Sequence, residues 1–366
     1  MEKYYLGILQ NSPGLNSAKL RRLLNLWGTA EAVWKARVAD ITKACILDDS
    51  SKEAFLAFRK TNEDLPYSLA EKCESQHISI CDINDDVYPK NLKEIFDPPY
   101  VLFYRGTLQN DKLRIAIVGS RKISPYGRAA AKQFSVDLAS LGVSVVSGAA
   151  YGVDTESHKG ALSAGTTEAV LGCGIDVVYP TSNKKLLADI AEKGAVISEY
   201  LPGTPPLKHN FPARNRIISG MARGVLVVEA AERSGSLITA ELALSVGRDI
   251  FAVPGSIFAP GSLGCNKLIQ QGAKLVLDTR DIMSEYSDII KVKTLSEKNG
   301  NMERNFSLSG DEERVYSLLS PDIPMSIDEI IYKLHGSDPA NVAFLLLQME
   351  FKGLIQSDES NLYVKK

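Results

Sequence analysis

From residue 113 to residue 253 the chain alternates short β-branched, apolar runs with stretches of helical periodicity, and this alternation constrains its fold more than any other feature. Residues 113–118 form a continuous apolar run of the kind buried on both faces of a parallel sheet. Helical pattern follows over 126–141, strand over 143–146, helix over 154–164, strand over 168–171 and helix over 183–192. Further strands are expected at 196–198, 225–229 and 250–253, and one more precedes the series at 98–104. Repeated strand, helix and strand in this order predicts a doubly wound α/β domain.

Smaller modules flank this core. Leu20, Leu23, Leu24 and Trp27 lie at helical spacing, with Ser17 placed to cap the helix and Gly28 to stop it. The turn from Asn11 to Leu15 is similar to that of a helix-hairpin-helix, whose amides grip phosphate. Asn16 stands where the second hairpin glycine would be, so a plain packing unit is expected. Residues 283–309 are rich in Ser, Lys, Glu, Asn and Gly and read as a linker. Three helical patterns at 312–319, 326–334 and 338–352, followed by apolar runs at 354–356 and 362–364, describe a winged helix. The expected organisation is a helical module at 1–68, a core at 69–282, a linker at 283–309 and a winged helix at 310–366.

The charge is unevenly placed. The formal net charge is −2, yet Lys plus Arg exceed Asp plus Glu by 4 over 111–281 and fall short by 5 over 311–366. A polyanionic partner is therefore expected on the core. No apolar run is long enough to span a bilayer and the first residues lack a signal-peptide pattern, so a cytoplasmic protein with no membrane contact is expected. Cys45, Cys73, Cys81, Cys173 and Cys265 show no C-x-x-C spacing and read as buried free thiols.

In a doubly wound sheet, ligands sit beyond the carboxyl ends of the strands. After the strand at 113–118 come Gly119, Ser120 and Arg121, then Ser124, Tyr126 and Gly127 opening a helix, which together read as a phosphate grip. The dinucleotide pattern G-x-G-x-x-G is absent, and the next strand ends at Ser147-Gly148 with no acidic residue for a ribose, so no NAD is expected. Asp154 is placed to cap the helix that follows, and His158 reads as a hydrogen-bonded structural histidine. The stretch Lys208, His209, Asn210, Phe211, Pro212, Ala213, Arg214, Asn215, Arg216 gathers cations, amides and an aromatic ahead of a helix at 217–221. Cations for phosphates and a ring for base stacking suit single-stranded nucleic acid; otherwise the arginines pair with carboxylates such as Glu229. Ser234, Gly235 and Ser236 offer another helix N-terminus, and Glu229 with Glu241 could serve as acid and base in a nucleotide-cleaving enzyme. No metal-ligand cluster accompanies them.

Taken together, Gly119-Ser120-Arg121, Ser147-Gly148 through Asp154 with His158, residues 171–176 with Tyr179-Pro180, Phe211-Pro212 with residues 214–220, residues 234–240, and Ala252-Val253-Pro254-Gly255 with Gly264 and Asn266 resemble the bacterial DNA processing protein A family, DprA or Smf. The resemblance covers about 110–275. It implies an extended Rossmann-like core with a small helical module of the SAM or helix-hairpin-helix kind before it and a winged helix after it. It also implies a mediator, not an enzyme, that binds single-stranded DNA entering in natural transformation, protects it, helps load the RecA recombinase, and forms a homodimer through the core, without cofactor or metal. By motif position the DNA-binding residues would be Gly119, Ser120, Arg121, Ser147, Gly148, Lys208, Phe211, Arg214, Asn215, Arg216, Gly235 and Ser236. Arg121 and Lys208 would hold phosphates, Phe211 would stack a base, and Ser147, Gly148, Gly235 and Ser236 would donate hydrogen bonds.

Two other readings compete. A Rossmann-type nucleotide-phosphate hydrolase related to the lysine-decarboxylase-like proteins would use an Arg and Glu pair, but Arg233-Ser234-Gly235 replaces the Pro-Gly-Gly signature of that group. A duplex-binding regulator built on the winged helix is opposed by its acidity, since residues 338–352 hold one Lys and no Arg. That module is expected to contact protein or to act as a structural cap.

Overall fold

The computed structural model describes residues 1–287, 310–320, 325–334, 338–351, 354–357 and 362–365. They belong to two compact units, Met1–Ile290 and Lys291–Lys366. Most of the expected linker, 288–309, lies outside the described residues; its first residues do not behave as one, because Tyr286 is buried and hydrogen-bonded to Asp249 at 2.8 Å.

The first unit opens with helices α1 (Glu2–Gln10), α2 (Ser17–Trp27), α3 (Ala30–Lys35), α4 (Val38–Lys43), α5 (Asp49–Thr61) and α6 (Leu65–Ser75). The cap of α2 is Asn16 and not Ser17: the Asn16 side chain accepts the Lys19 N–H at 2.9 Å, and Gly28 ends the helix at φ 82°. Asn16 is thus the residue that starts the helix. The expected boundary at residue 68 falls inside α6, whose Leu69 and Cys73 are buried in the same cluster as Leu9, Leu20 and Phe55.

The strands are β1 (Ser79–Asp82), β2 (Val101–Gly106), β3 (Arg114–Val118), β4 (Ser144–Ser147), β5 (Thr167–Val170), β6 (Ala195–Ser198), β7 (Gly224–Val227), β8 (Asp249–Ala252) and β9 (Lys274–Leu275). Between them run α7 (Pro125–Ser140), α8 (Val153–Ala164), α9 (Lys184–Lys193), α10 (Asn210–Met221), α11 (Gly235–Ser245) and α12 (Leu263–Gln270), and α13 (Thr279–Met283) follows β9. They form one sheet in the order β1-β2-β6-β5-β4-β3-β7-β8-β9. Neighbours are parallel from β6 to β9, while β1 and β2 add an antiparallel edge.

Side-chain alternation on β3 decides the layers. Ile115 and Ile117 pack with Phe134 and Leu138 of α7 and Val153 of α8, whereas Ala116 and Val118 pack with Ile217 and Ile218 of α10 and Ala240 of α11. These four residues of β3 are essentially out of water, each of the two isoleucines contributing roughly 1.5–3 kcal/mol by burial. The chain leaves β3 toward β4 and returns on its other side as β7, so strand order reverses there and a crevice opens beyond the carboxyl ends.

The second unit holds α14 (Gly310–Leu318), β10 (Met325–Ser326), α15 (Ile327–Lys333), α16 (Pro339–Phe351), β11 (Ile355–Ser357) and β12 (Leu362–Lys365), with sheet order β10-β12-β11. It has its own core of Val315, Met325, Ile330, Val342, Leu346, Met349 and Ile355. This is the expected winged helix. Its α16 turns Phe344 and Leu347 outward.

Candidate nucleic-acid interface

Three side chains drawn from three separate connections stack at the carboxyl edge of the sheet. The Arg121 guanidinium, after β3, lies over the Phe211 ring at 5.5 Å from its centroid. Tyr179, in the loop after β5, approaches the same ring at 5.4 Å and 41°. Arg121 and Phe211 line a narrow slot with Gly148, Tyr151, Gly172 and Tyr179. Phe211 reaches this position because Gly172 has no side chain: a Cβ there would stand 2.9 Å from the ring.

Residues 210–216 are helical, in contrast to the loop expected ahead of a helix at 217–221. They form the first two turns of α10, and Pro212 is tolerated because the first-turn N–H groups have no intrahelical acceptor. The helix carries Phe211 outward and Arg214 inward. Arg214 is buried, and its Nη1 donates to the Gly148 carbonyl at 2.7 Å and to the Val170 carbonyl. It ties the ends of β4 and β5 to α10. A Cβ on Gly148 would lie 2.6 Å from this guanidinium, so glycine is required for the approach.

Asp154 does not cap α8. Gly152 holds the N-cap position, and the Asp154 carboxylate turns back to accept the Ala150 N–H at 3.2 Å. Burial pushes the Asp154 pKa up, and the neighbouring Arg214 charge opposes that shift. Ser147 is buried, with its hydroxyl donating to the Ile117 carbonyl at 2.7 Å. Ser120 is engaged too: its N–H donates to the Glu229 carbonyl at 2.7 Å and its hydroxyl to the Lys122 carbonyl at 2.8 Å. These groups shape the loops from within.

The N-terminus of α7, which the sequence offers as a phosphate grip, already holds an anion of the protein's own. Glu229 is buried, and its Oε2 accepts the Ser124 N–H at 3.1 Å and the Ser124 hydroxyl at 2.8 Å. The fit is close on two sides, because a Cβ on Gly127 or on Gly261 would collide with this carboxylate. Glu229 therefore does not pair with the arginines of α10. Arg216 pairs instead with Glu199 at 2.6 Å and Asp97 at 3.6 Å. Glu241, the other carboxylate of the hydrolase reading, is exposed on α11.

The remaining expected residues are spread along the edge. Lys208 is exposed just before α10, and Asn215 accepts from Arg214 Nε at 3.2 Å. Gly235 and Ser236 open α11, where the Ser234 side chain caps and bonds the Ser236 hydroxyl at 2.7 Å; neither lines the Phe211 slot. Gly119 packs against Val153. Tyr179 as a ring partner of Phe211, and Tyr151 on the slot wall, are not expected from the sequence. Their only local signal is an aromatic in a loop beyond a strand.

His158 is fully buried, with Nδ1 2.7 Å from Thr167 Oγ1. Thr167 donates its own hydroxyl to the Val145 carbonyl at 2.6 Å, so His158 Nδ1 must be the donor and Nε2 is unprotonated. Burial, helped by Arg214, pushes its pKa down to about 3. Cys73, Cys81, Cys173 and Cys265 are buried free thiols, whereas Cys45 is exposed. Among the described residues no helix is long and apolar enough to cross a membrane.

A family profile described as DNA recombination-mediator protein A matches residues 79–287, which includes every edge residue described above. The chain belongs to that family. A second profile, the DprA winged helix domain, matches residues 303–360. The DNA processing protein DprA of Streptococcus pneumoniae is 49% identical over 215 residues, covering 58% of this chain and 76% of that protein. An X-ray structure of DprA from Streptococcus pneumoniae matches with TM-score 0.67 and 38% identity, over 78% of this chain and 98% of the other. DNA processing protein A of Helicobacter pylori, whose structure was analysed for its single-stranded DNA binding mode, matches with TM-score 0.53 and 30% identity, over 58% and 96%.

Proposed function

We propose that the protein is a single-stranded DNA-binding recombination mediator that acts by binding and without turnover. It takes its strand independently of base sequence, protects DNA entering in natural transformation, and helps load RecA onto it in the cytoplasm. The observation that carries this reading is the Arg121–Phe211 pair. A cation beside a partly exposed aromatic ring offers one phosphate contact and one stacking surface, and a stacking surface accepts any base. Membership of the recombination-mediator family supports the reading, as does the single-strand binding of the Helicobacter pylori relative. The engagement of Glu229 by Ser124 speaks against its use as an acid or base.

In this reading Arg121 and Lys208 hold phosphates, Phe211 stacks a base, and Arg214 positions the slot from beneath. Gly119, Ser120, Ser147, Gly148, Asn215, Arg216, Gly235 and Ser236 shape the surface over which the strand runs. The protein works as a homodimer through its core. That role is supported by exposed Leu275 on edge strand β9, exposed Leu277 beside it, and Ile238 and Leu244 on α11, since an apolar open edge invites pairing.

Fluorescence anisotropy with labelled oligo(dT) and a duplex of equal length, at low and at physiological salt, tests the binding. Salt-sensitive preference for the single strand, weakened in Arg121→Ala, is expected. Equal affinity for the duplex, or no effect of Arg121→Ala, would sink the reading. Light scattering of the full chain against Leu277→Glu tests the homodimer, and RecA ATPase on single strand tests the loading.

A further inference from the structure

We propose that a second single-strand subsite lies in the groove between α7, α8 and α9, where Tyr151 stacks a base and Lys122, Lys159 and Lys185 hold the following phosphates. This rests on the nucleic-acid reading of the Phe211 slot and extends the bound strand beyond it. The groove encloses about 930 Å³ and is continuous with the slot, because Arg121 and Tyr151 line both. A strand seated on Phe211 reaches it by crossing the carboxyl edge of the sheet, from the α10 layer to the layer of α7, α8 and α9.

Charge favours this direction. The groove is lined by Arg121, Lys122, Arg128, Lys159 and Lys185 against Glu156 and Asp189. Glu156 is shared by Arg128 at 2.9 Å and Lys159 at 3.2 Å, and Asp189 holds Lys185 at 2.8 Å, so three positive charges remain in excess. The lysines are exposed, Lys185 at 89% and Lys159 at 57%, and the Lys185–Asp189 pair is a surface pair of the kind that yields readily to a phosphate, whereas Glu156 is largely buried. Tyr151 is half exposed at the junction between slot and groove, and its ring supplies the stacking face that a run of lysines lacks.

The test uses the full chain and oligo(dT) of two lengths, about 5 nucleotides to seat on Phe211 alone and about 15 to reach the groove as well. Lys159→Glu with Lys185→Glu should weaken the longer oligonucleotide about tenfold and leave the shorter one unchanged, and Tyr151→Ala, which also alters the slot wall, should weaken the longer one more than the shorter. Tyr151→Phe should bind as wild type, since it keeps the ring. Arg121→Ala should weaken both lengths. Groove variants that bind the longer strand like wild type, while Arg121→Ala weakens both, would overturn the subsite and leave the Phe211 reading standing. Inorganic polyphosphate that displaces the longer strand from wild type but not from Lys159→Glu with Lys185→Glu would make the groove a general anion site and overturn its single-strand assignment.

Discussion

Arg121 and Phe211, brought together from segments ninety residues apart in the chain, stand with guanidinium over ring at 5.5 Å. If the two act on one nucleotide, as proposed above, their contributions differ in kind. Phe211→Ala should weaken oligo(dT) binding by about 1–3 kcal/mol with little change in salt dependence. Arg121→Ala should also lower the slope of log affinity against log salt by about 0.7 for each phosphate that is no longer neutralised. A double-mutant cycle should show coupling; strict additivity would mean that the pair acts on separate nucleotides.

Arg214 should behave as a structural cation. Its removal leaves the Gly148 and Val170 carbonyls and the buried Asp154 without their guanidinium. Arg214→Ala should cost about 3 kcal/mol or more and lower Tm by roughly 6–12 °C in a calorimetric scan. Arg214→Lys should not restore it, because an ammonium cannot reproduce the planar fork.

Acid should destabilise the core through His158. The imidazole titrates near 6.5 in the unfolded chain and at about 3 when folded, so between these values the unfolded state binds the extra proton. Stability should fall as pH drops from about 6.5 toward 3, with this residue contributing a slope of up to about 1.4 kcal/mol per pH unit. His158→Gln, whose amide can still donate to Thr167, should flatten that part of a urea-midpoint profile. An unchanged profile would show that other groups set the acid limit.

Removing the winged helix should leave oligo(dT) affinity within about twofold. Every residue of the slot belongs to the first unit, the two units have separate cores, and residues 311–366 are acidic by 5 charges. A chain ending at residue 290 is the test, and a loss greater than tenfold would give the winged helix a direct part in binding.

The strands of the core are legible in the sequence where an apolar run carries them, as in Ile115–Val118 or Val225–Val227, whereas the buried Thr167 and Glu168 that open β5 and the serines at both ends of β4 blur the edges of theirs. The helical start of α10 is hidden by its chemistry: Asn210, Pro212, Arg214 and Arg216 break the apolar period, although they occupy ordinary helical positions. Arg121 and Phe211 are visible as residue types, but not their contact, which depends on Gly172 giving way beneath the ring. The inward turn of Arg214 is invisible for a similar reason, its acceptors lying 66 and 44 residues away. In the sequence Glu229 looks free to act, and only the tertiary structure reveals its bond to Ser124 across 105 residues.

That bond decides what the sheet can host. In a doubly wound fold the amides at the first helix N-terminus form a natural seat for the phosphate of a nucleotide. Here the seat has a permanent tenant. A soluble nucleotide arriving at the switch point meets a carboxylate locked in place by Ser124 and walled by Gly127 and Gly261. The fold keeps the scaffold of a nucleotide pocket but fills its first helix N-terminus with a carboxylate of its own, and under the single-strand proposal the rim beside it serves a ligand that comes as a continuous strand.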